Sequence, residues 1–576
     1  MEVPTGWPTV VLQDSGWAFS HDPALTPTLA VGANGAWVLA HGLLLYAGDD
    51  ERDLSPSERL LEALGRSEEA FLDQLDLYGG RHLVLRGGPG ESAPVLYQDA
   101  TGMRTVHFSE TADVVASHVE LLSSLRPHPA RTAEQGLASF LTAWGRTTRV
   151  GVEALLPNHS LELGTWQIEL FYPRRENRYA QLSVQERVEL FRARWNRMMQ
   201  DLVARDARLI MSITGGWDSR TGLALSIQHL DSIELFTYSS RAPGNDVRRQ
   251  MIAQDKAIVD QILQLLPSAR HTNYYTEVRD LQLTPSQQED VARNSVLQHG
   301  RWTLPYYMDS FPGPDVIHLR GNASAIGKSP WIKNDQEDSR STMEMGHLRR
   351  TRRDSEHLSE QQRRTDFQLG YERWGYDQDL HGVHRNDLAY WEIRLGRWSA
   401  EINNESDIAF QTCAAMNVRA LLEMTLSFPL AQRRTSFFFA ELINAAAPVL
   451  NFPGFNDTRN LYEITRDDAV GATASGGLSM EDHLHVRGPQ GIEVLPAEAG
   501  RLHIPQEHFH PLTAAHRAFA PVSRDGELRF TLSSTYGYPS AGGNWRYQIW
   551  VDDRLHTSWD GAISKAPVHV TVSDLR

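Results

Sequence analysis

The segment that most restricts this chain is a buried apolar run that turns at once into a helix. The run is Arg208-Leu209-Ile210-Met211-Ser212-Ile213, and the turn is Thr214-Gly215-Gly216-Trp217-Asp218-Ser219-Arg220. A continuous apolar strand is one buried on both faces, which points to a parallel sheet covered by crossover helices. The flanking patterns agree. Residues 183–205 carry apolar side chains close to helical spacing (Val184, Val188, Leu190, Phe191, Trp195, Met198, Met199, Leu202), and a short helix is expected from about Thr221 to His229. A second strand, Ile233-Glu234-Leu235-Phe236-Thr237-Tyr238, then leads into a long helix near 247–266. Strand, helix, strand, helix in this order predicts a doubly wound α/β region.

The turn carries its own chemistry. A helix that starts just beyond the C-terminal end of a parallel strand offers backbone N–H groups and the positive end of its dipole to an anion. Gly215 and Gly216 let a phosphate approach the backbone closely. Thr214 and Ser219 supply hydroxyls, and Asp218 is placed to hold Mg²⁺ against the same phosphates. From spacing alone, the turn predicts a phosphate site.

At 576 residues, two or three domains are expected, with boundaries at 1–172, 173–490 and 491–576. The first region has short strands around Ala36–Ala40 and His82–Leu85, followed by a strand–turn–strand unit over 95–108. The last has period-two strands at 528–532, 545–551 and 568–572, which suggest a small β-sandwich. Residues 333–386 are charged, with Arg349, Arg350, Arg352 and Arg353 clustered. They read as a solvated helical insertion, or alternatively as a lid over an anionic substrate. A formal charge of -16 argues against nucleic acid as a general partner. No apolar stretch reaches membrane-spanning length and no secretory leader is visible, so a soluble, cytoplasmic chain is expected. The single cysteine, Cys413, reads as a small core residue in a helical context. His483, His485, His503, His508, His510 and His516 leave a zinc or iron site open as a minor alternative, although no carboxylate or cysteine stands at diagnostic spacing for one.

The turn resembles the Ser-Gly-Gly-x-Asp-Ser pyrophosphate loop of the asparagine synthetase-like, ATP-pyrophosphatase superfamily, with Thr214 in the first position. Leu235-Phe236-Thr237-Tyr238 is similar to that family's adenine-facing strand, and Asp255-Lys256-Ala257 to the Asp-x-Ala opening its next helix. The run from Gly151 to His159 resembles the family's interdomain linker, and the Tyr97–Gly102 turn resembles a class II amidotransferase turn. The resemblance covers about residues 75–455. It implies an N-terminal Ntn-type α+β sandwich, a central doubly wound ATP-pyrophosphatase domain, and ATP with Mg²⁺ as cofactors. It also implies a nucleotide site at Ser212, Thr214, Gly215, Gly216, Asp218, Ser219, Thr237, Tyr238, Gly321 and Asn322.

The chain departs from the family at three places. Glutamine-dependent members use an N-terminal cysteine, whereas this chain begins Met1-Glu2, so no glutaminase activity is expected. The family's acidic second motif is replaced by His318-Leu319-Arg320-Gly321-Asn322-Ala323-Ser324-Ala325-Ile326-Gly327-Lys328. There Arg320 and Lys328 are expected to neutralise phosphate charge. Gln411 stands where relatives carry an acid–base glutamate, which leaves Tyr390, Glu392 and Glu401 as candidates, each otherwise an ordinary amphipathic-helix residue. The resemblance implies an ATP-dependent ligase that joins small-molecule or peptide carboxylates to amines, in a chain for which a homodimer is open. An intramolecular peptide or β-lactam-type cyclase, and a weakened homologue acting as a binding scaffold, are the alternatives.

Overall fold

The computed structural model describes residues 3–12, 15–89, 93–241, 247–275, 281–297, 303–313, 315–332 and 337–466, and beyond them the backbone of the strands between His483 and Leu575. The chain divides into two compact units, Met1–Phe455 and Asn456–Arg576.

In the first unit, five strands form a wholly parallel sheet in the order His271–Tyr275, Ile233–Ser239, Arg208–Ser212, Val316–Arg320, Gln411–Ala414. The strand preceding the glycine turn is therefore central. The chain winds outward on one side of it and then returns to the other, which makes the crevice between Arg208–Ser212 and Val316–Arg320 the switch point of the sheet. Alternate residues enter different cores, as a two-sided sheet requires. Leu209, Met211, Leu235 and Leu319 join the large apolar cluster. Ile210, Phe236 and Val316 face an aromatic cluster with Phe311 and Phe410.

An antiparallel sheet precedes it, in the order Ile168–Leu170, His159–Glu162, Val95–Gln98, Tyr78–Gly87, Trp37–Tyr46, Thr28–Val31. Helix Val184–Val203 joins the two sheets. Ser183 and Glu186 close its N-terminus in a reciprocal capping box, and Val188, Phe191, Trp195, Met198, Met199 and Leu202 are buried along one face. That face packs on strand Trp37–Tyr46 and on helix Phe437–Ala446, so one core runs through the antiparallel and parallel layers. The fold is mixed α/β, with a five-stranded parallel sheet and antiparallel sheets. The boundary expected at 172/173 falls between the last antiparallel strand and this bridging helix.

Several local expectations are corrected. Helix Trp217–Leu225 begins four residues earlier than expected, and the chain continues as a 3₁₀ turn over Ile227–Ser232. The two strands of the expected 95–108 unit do not pair. Val95–Gln98 belongs to the large antiparallel sheet, and His107–Ser109 pairs with Val114–Ala116 and Glu153–Ala154. Cys413 lies on strand Gln411–Ala414 and not on a helix. The charged insertion is not simply solvated. Helices Arg340–Arg350 and Glu360–Arg373 bury Met343, His347, Phe367 and Tyr371 against a cluster that includes Trp144 and Leu156.

In the second unit, His483–Gly488 pairs antiparallel with Gly491–Pro496 and Arg517–Phe519. Gly526–Leu532 pairs with Val568–Leu575, and Arg546–Val551 with Arg554–Asp560. The boundary expected at 490/491 falls within the first of these hairpins. His503, His508, His510 and His516 lie outside the described residues. Among the described residues no group of three or more His, Cys, Asp or Glu side chains could hold a metal, and no helix is long and apolar enough to cross a membrane.

Candidate functional site

The glycine turn lies at the C-terminal end of the central strand, the edge where open α/β sheets bind ligands. Its first three amides are held internally. The Thr214 N–H donates to Ser219 Oγ at 3.0 Å, Gly215 N–H to Asp255 Oδ1 at 2.8 Å, and Gly216 N–H to Thr214 Oγ1 at 3.3 Å. Burial raises the Asp255 carboxyl above its ordinary range, and the Gly215 N–H only partly opposes this. Helix Trp217–Leu225 then starts from Gly216 with no capping side chain. The helices at Pro56, Val184, Pro285 and Glu360 are each closed by a capping box. Anion-binding capacity therefore resides in the first-turn amides of the helix, reinforced by its dipole, more than in the glycine amides themselves.

The second wall comes from the neighbouring strand. After Val316–Arg320, Gly321 lies against the turn so closely that a Cβ there would stand 2.8 Å from the Asp218 carbonyl carbon and 3.0 Å from Ser219 N. The following 3₁₀ turn, Asn322–Lys328, packs on the loop helix and delivers the Lys328 ammonium to the Asp218 carboxylate. Both side chains stay partly exposed, at 33% for Asp218 and 23% for Lys328. Tyr390 is close enough for the Asp218 charge to add to the effect of burial, which pushes the phenol up to about 12. Tyr390 also opens a π-helical stretch, Tyr390–Ser399, a form uncommon enough to mark a locally specified geometry.

Other expected site residues support the loop from behind. Thr237 Oγ1 donates to the Ile213 carbonyl at 2.9 Å, fixing the residue that links the strand to the turn. Ser212 Oγ is 2.9 Å from His318 Nε2. Burial holds that imidazole neutral, well below its usual range, and its Nδ1 has no partner among the described residues. An unmet lone pair costs less than an unmet N–H, so we assign the ring proton to Nε2. Tyr238 packs at the edge of the aromatic cluster, and Asn322 Nδ2 lies 3.5 Å from Ser399 Oγ. Arg320 ends its strand beside Ala414. Gln411 pairs with Ile317, at the opposite end of the sheet from the loop.

Glu392 is engaged elsewhere. It is fully buried, with Tyr376 O–H donating to Oε2 at 2.7 Å and Asn158 Nδ2 to Oε1 at 3.2 Å. Burial raises its carboxyl well above the ordinary range, against the smaller opposing effect of these two bonds. Glu401 is likewise buried and accepts from Ser295 Oγ and Val296 N. A carboxyl kept protonated in the fold binds a proton that the unfolded chain has released, so its stabilising effect fades as pH rises above the ordinary value. Glu392→Gln is therefore expected to gain stability relative to the native chain between about pH 5 and pH 8. Urea unfolding at several pH values measures this, and a constant difference would remove Glu392's charge from the account.

The turn was legible in the sequence, whereas the Lys328–Asp218 pair and the caging by Gly321 were not. No protein-family model matches the chain, and no curated protein matches it. Fold and site together define a mixed α/β protein with an anion-suited turn at the switch point of its parallel sheet.

Proposed function

We propose that this chain is an ATP-dependent, AMP-forming ligase of the asparagine synthetase-like kind, joining a substrate carboxylate to an amine without glutamine hydrolysis. One observation carries the reading. The Thr-Gly-Gly-x-Asp-Ser turn opens an uncapped helix at the switch point, with Gly321 and Lys328 closing its other side.

A carboxylate oxygen attacks the α-phosphorus of ATP, the bond to the bridging oxygen breaks, and pyrophosphate leaves. The amine nitrogen then attacks the acyl carbon, AMP departs, and the amine loses a proton. First-turn amides of the loop helix and the Lys328 ammonium hold the pyrophosphate charge, with Arg320 at the end of the adjacent strand as a further cation. Thr214 and Ser219 fix the loop. Asp218, a partly exposed single carboxylate, suits a magnesium ion held mainly by phosphates and water, and that ion would supply additional charge neutralisation. Tyr390, whose phenol is raised in part by the Asp218 charge, is the acid–base candidate at this site. The amine comes from the substrate itself, because Cys413, the chain's one cysteine, is fully buried with its thiol pushed up to about 12. A cyclase, with acid and amine on one molecule, uses the same steps.

Pyrophosphate release from ATP and Mg²⁺ with a panel of carboxylic acids tests the reaction. Nucleotide binding without pyrophosphate from any acid replaces the ligase by a nucleotide-binding scaffold. Asp218→Ala is expected to weaken Mg-ATP binding at least about ten-fold, while removal of its partly exposed ion pair costs no more than about 1 kcal/mol of stability. Calorimetric titration decides, and unchanged affinity ends the loop assignment.

A further inference from the structure

Lys328 reaches the glycine turn from a segment whose geometry is set on both sides. Before it, Gly327 lies so close to its neighbours that a Cβ there would stand 2.7 Å from Thr425 Cβ and 3.1 Å from Phe439 Cζ. After it, Ser329 has φ 50°, in the left-handed region that is uncommon for any residue but glycine. The Ser329 hydroxyl accepts from Arg433, which is itself paired with Asp387 at 2.7 Å. Held in this way, the Lys328 ammonium meets the Asp218 carboxylate and lies 5.5 Å from the centre of the Phe439 ring. Among the described residues neither group has a second ion-pair partner. Residues 320–328 contain no acidic side chain that could share the lysine.

The pair sets the two side chains against their separate tasks. In the proposed reaction Asp218 faces a magnesium ion and Lys328 faces pyrophosphate, yet here each neutralises the other. A divalent ion approaching Asp218 meets a positive charge already seated on that carboxylate. Mg²⁺ keeps most of its water and gains too little from one carboxylate to expel the ammonium. Nucleotide phosphates reverse the balance, because they offer the ammonium more negative charge than one carboxylate does and bring the metal with them. At 33% and 23% exposure, Asp218 and Lys328 are both open to solvent, and an ion pair of this kind is weak enough to part.

We infer that Lys328 is a latch on Asp218. In the free chain its ammonium keeps a divalent ion off the carboxylate, and arriving phosphate draws the ammonium away, so that metal and nucleotide load together. The inference rests on the ligase reading for its nucleotide, while the competition at Asp218 is a property of the free chain.

Mn²⁺ serves as the probe ion, with its unbound fraction counted by electron paramagnetic resonance in titrations of the full chain without nucleotide. Native chain, Lys328→Met, Asp218→Ala and the double variant are compared. Lys328→Met is expected to bind Mn²⁺ about five-fold more tightly than the native chain, and the double variant should lose that gain. ATP titrated calorimetrically in EDTA should bind the native chain about ten-fold more tightly than Lys328→Met, because the ammonium goes to phosphate. Lys328→Gln repeats both comparisons should methionine destabilise the fold, which melting temperatures reveal. Equal Mn²⁺ affinity in the native chain and Lys328→Met, including no binding by either, would overturn the latch. So would a gain that survives in the double variant, or metal-free ATP that binds both chains alike. Failure of the native chain to bind ATP with or without Mg²⁺ tells against the ligase reading instead, and leaves the Mn²⁺ comparison to decide the competition at Asp218.

Discussion

Gly321→Ala is expected to lower stability by about 2–3 kcal/mol and to reduce Mg-ATP affinity by about 100-fold. The backbone of Gly321 has φ -84° and ψ -3°, open to any residue, so conformation is not the obstacle. Space is. The added Cβ would lie 2.8 Å from Asp218 C, 2.9 Å from Asp218 O and 3.0 Å from Ser219 N. These are backbone atoms of the first helical turn and cannot rotate away as a flexible side chain would. Relief requires the 320–322 segment and the loop to separate, which moves Lys328 from Asp218 and displaces the amides meant for phosphate. Gly222, on the loop helix itself, is the control. A Cβ there meets nothing within 4 Å, so Gly222→Ala should stabilise the chain by about 1 kcal/mol through helix propensity. Thermal unfolding and ATP titration of both variants check the pair of opposite signs. Equal melting temperatures would contradict the close approach described here.

Arg220→Met should cost about 2–4 kcal/mol and loosen the chain around residues 447–455. Arg220 is fully buried, and its guanidinium donates to the carbonyls of Pro453 at 2.6 Å, Gly454 at 2.7 Å, Gly215 at 3.1 Å and Leu450 at 3.4 Å. It also lies 3.8 Å from the centre of the Phe455 ring, which stacks on Trp217 at 3.4 Å. Burial lowers this group to about 10, so it stays charged at neutral pH with carbonyl dipoles as its only polar partners among the described residues. Methionine keeps most of the volume and none of the donors, leaving those carbonyls unsatisfied. Since Gly215 O is among them, the loop is coupled to the end of the unit. Faster hydrogen exchange at 447–455, with a lower urea midpoint, is the expected result. Native-like exchange would show that the segment is held by its apolar contacts instead.

Much of this architecture could be read from local pattern. The central strand announces itself through Leu209, Ile210 and Met211, and the bridging helix through the spacing of Phe191, Trp195, Met198 and Leu202. Strand Gln411–Ala414 was hidden because Ala409, Ala414, Ala415 and Met416 are good helix formers. Pairing with Val316–Arg320 overrides that propensity, as tertiary contacts commonly do. The charged insertion concealed its buried face because His347 and Tyr371 look polar in sequence while packing with Met343 and Phe367. Glu392 reads locally as an ordinary amphipathic-helix residue, because its partners Tyr376 and Asn158 stand 16 and 234 residues away.

Residue order was enough to establish the strand, the sharp turn and the helix around Thr214 to Arg220, because those preferences act within a few residues. It also limited the available chemistry to hydroxyls, one loop carboxylate and the nearby cations. Which charge meets which depended on the sheet order that sets Val316–Arg320 beside Arg208–Ser212. That order brings Lys328 to Asp218 across 110 residues and leaves Gly321 no room for a side chain. Such pairings arise when distant segments are desolvated together, and no local preference carries information over that separation.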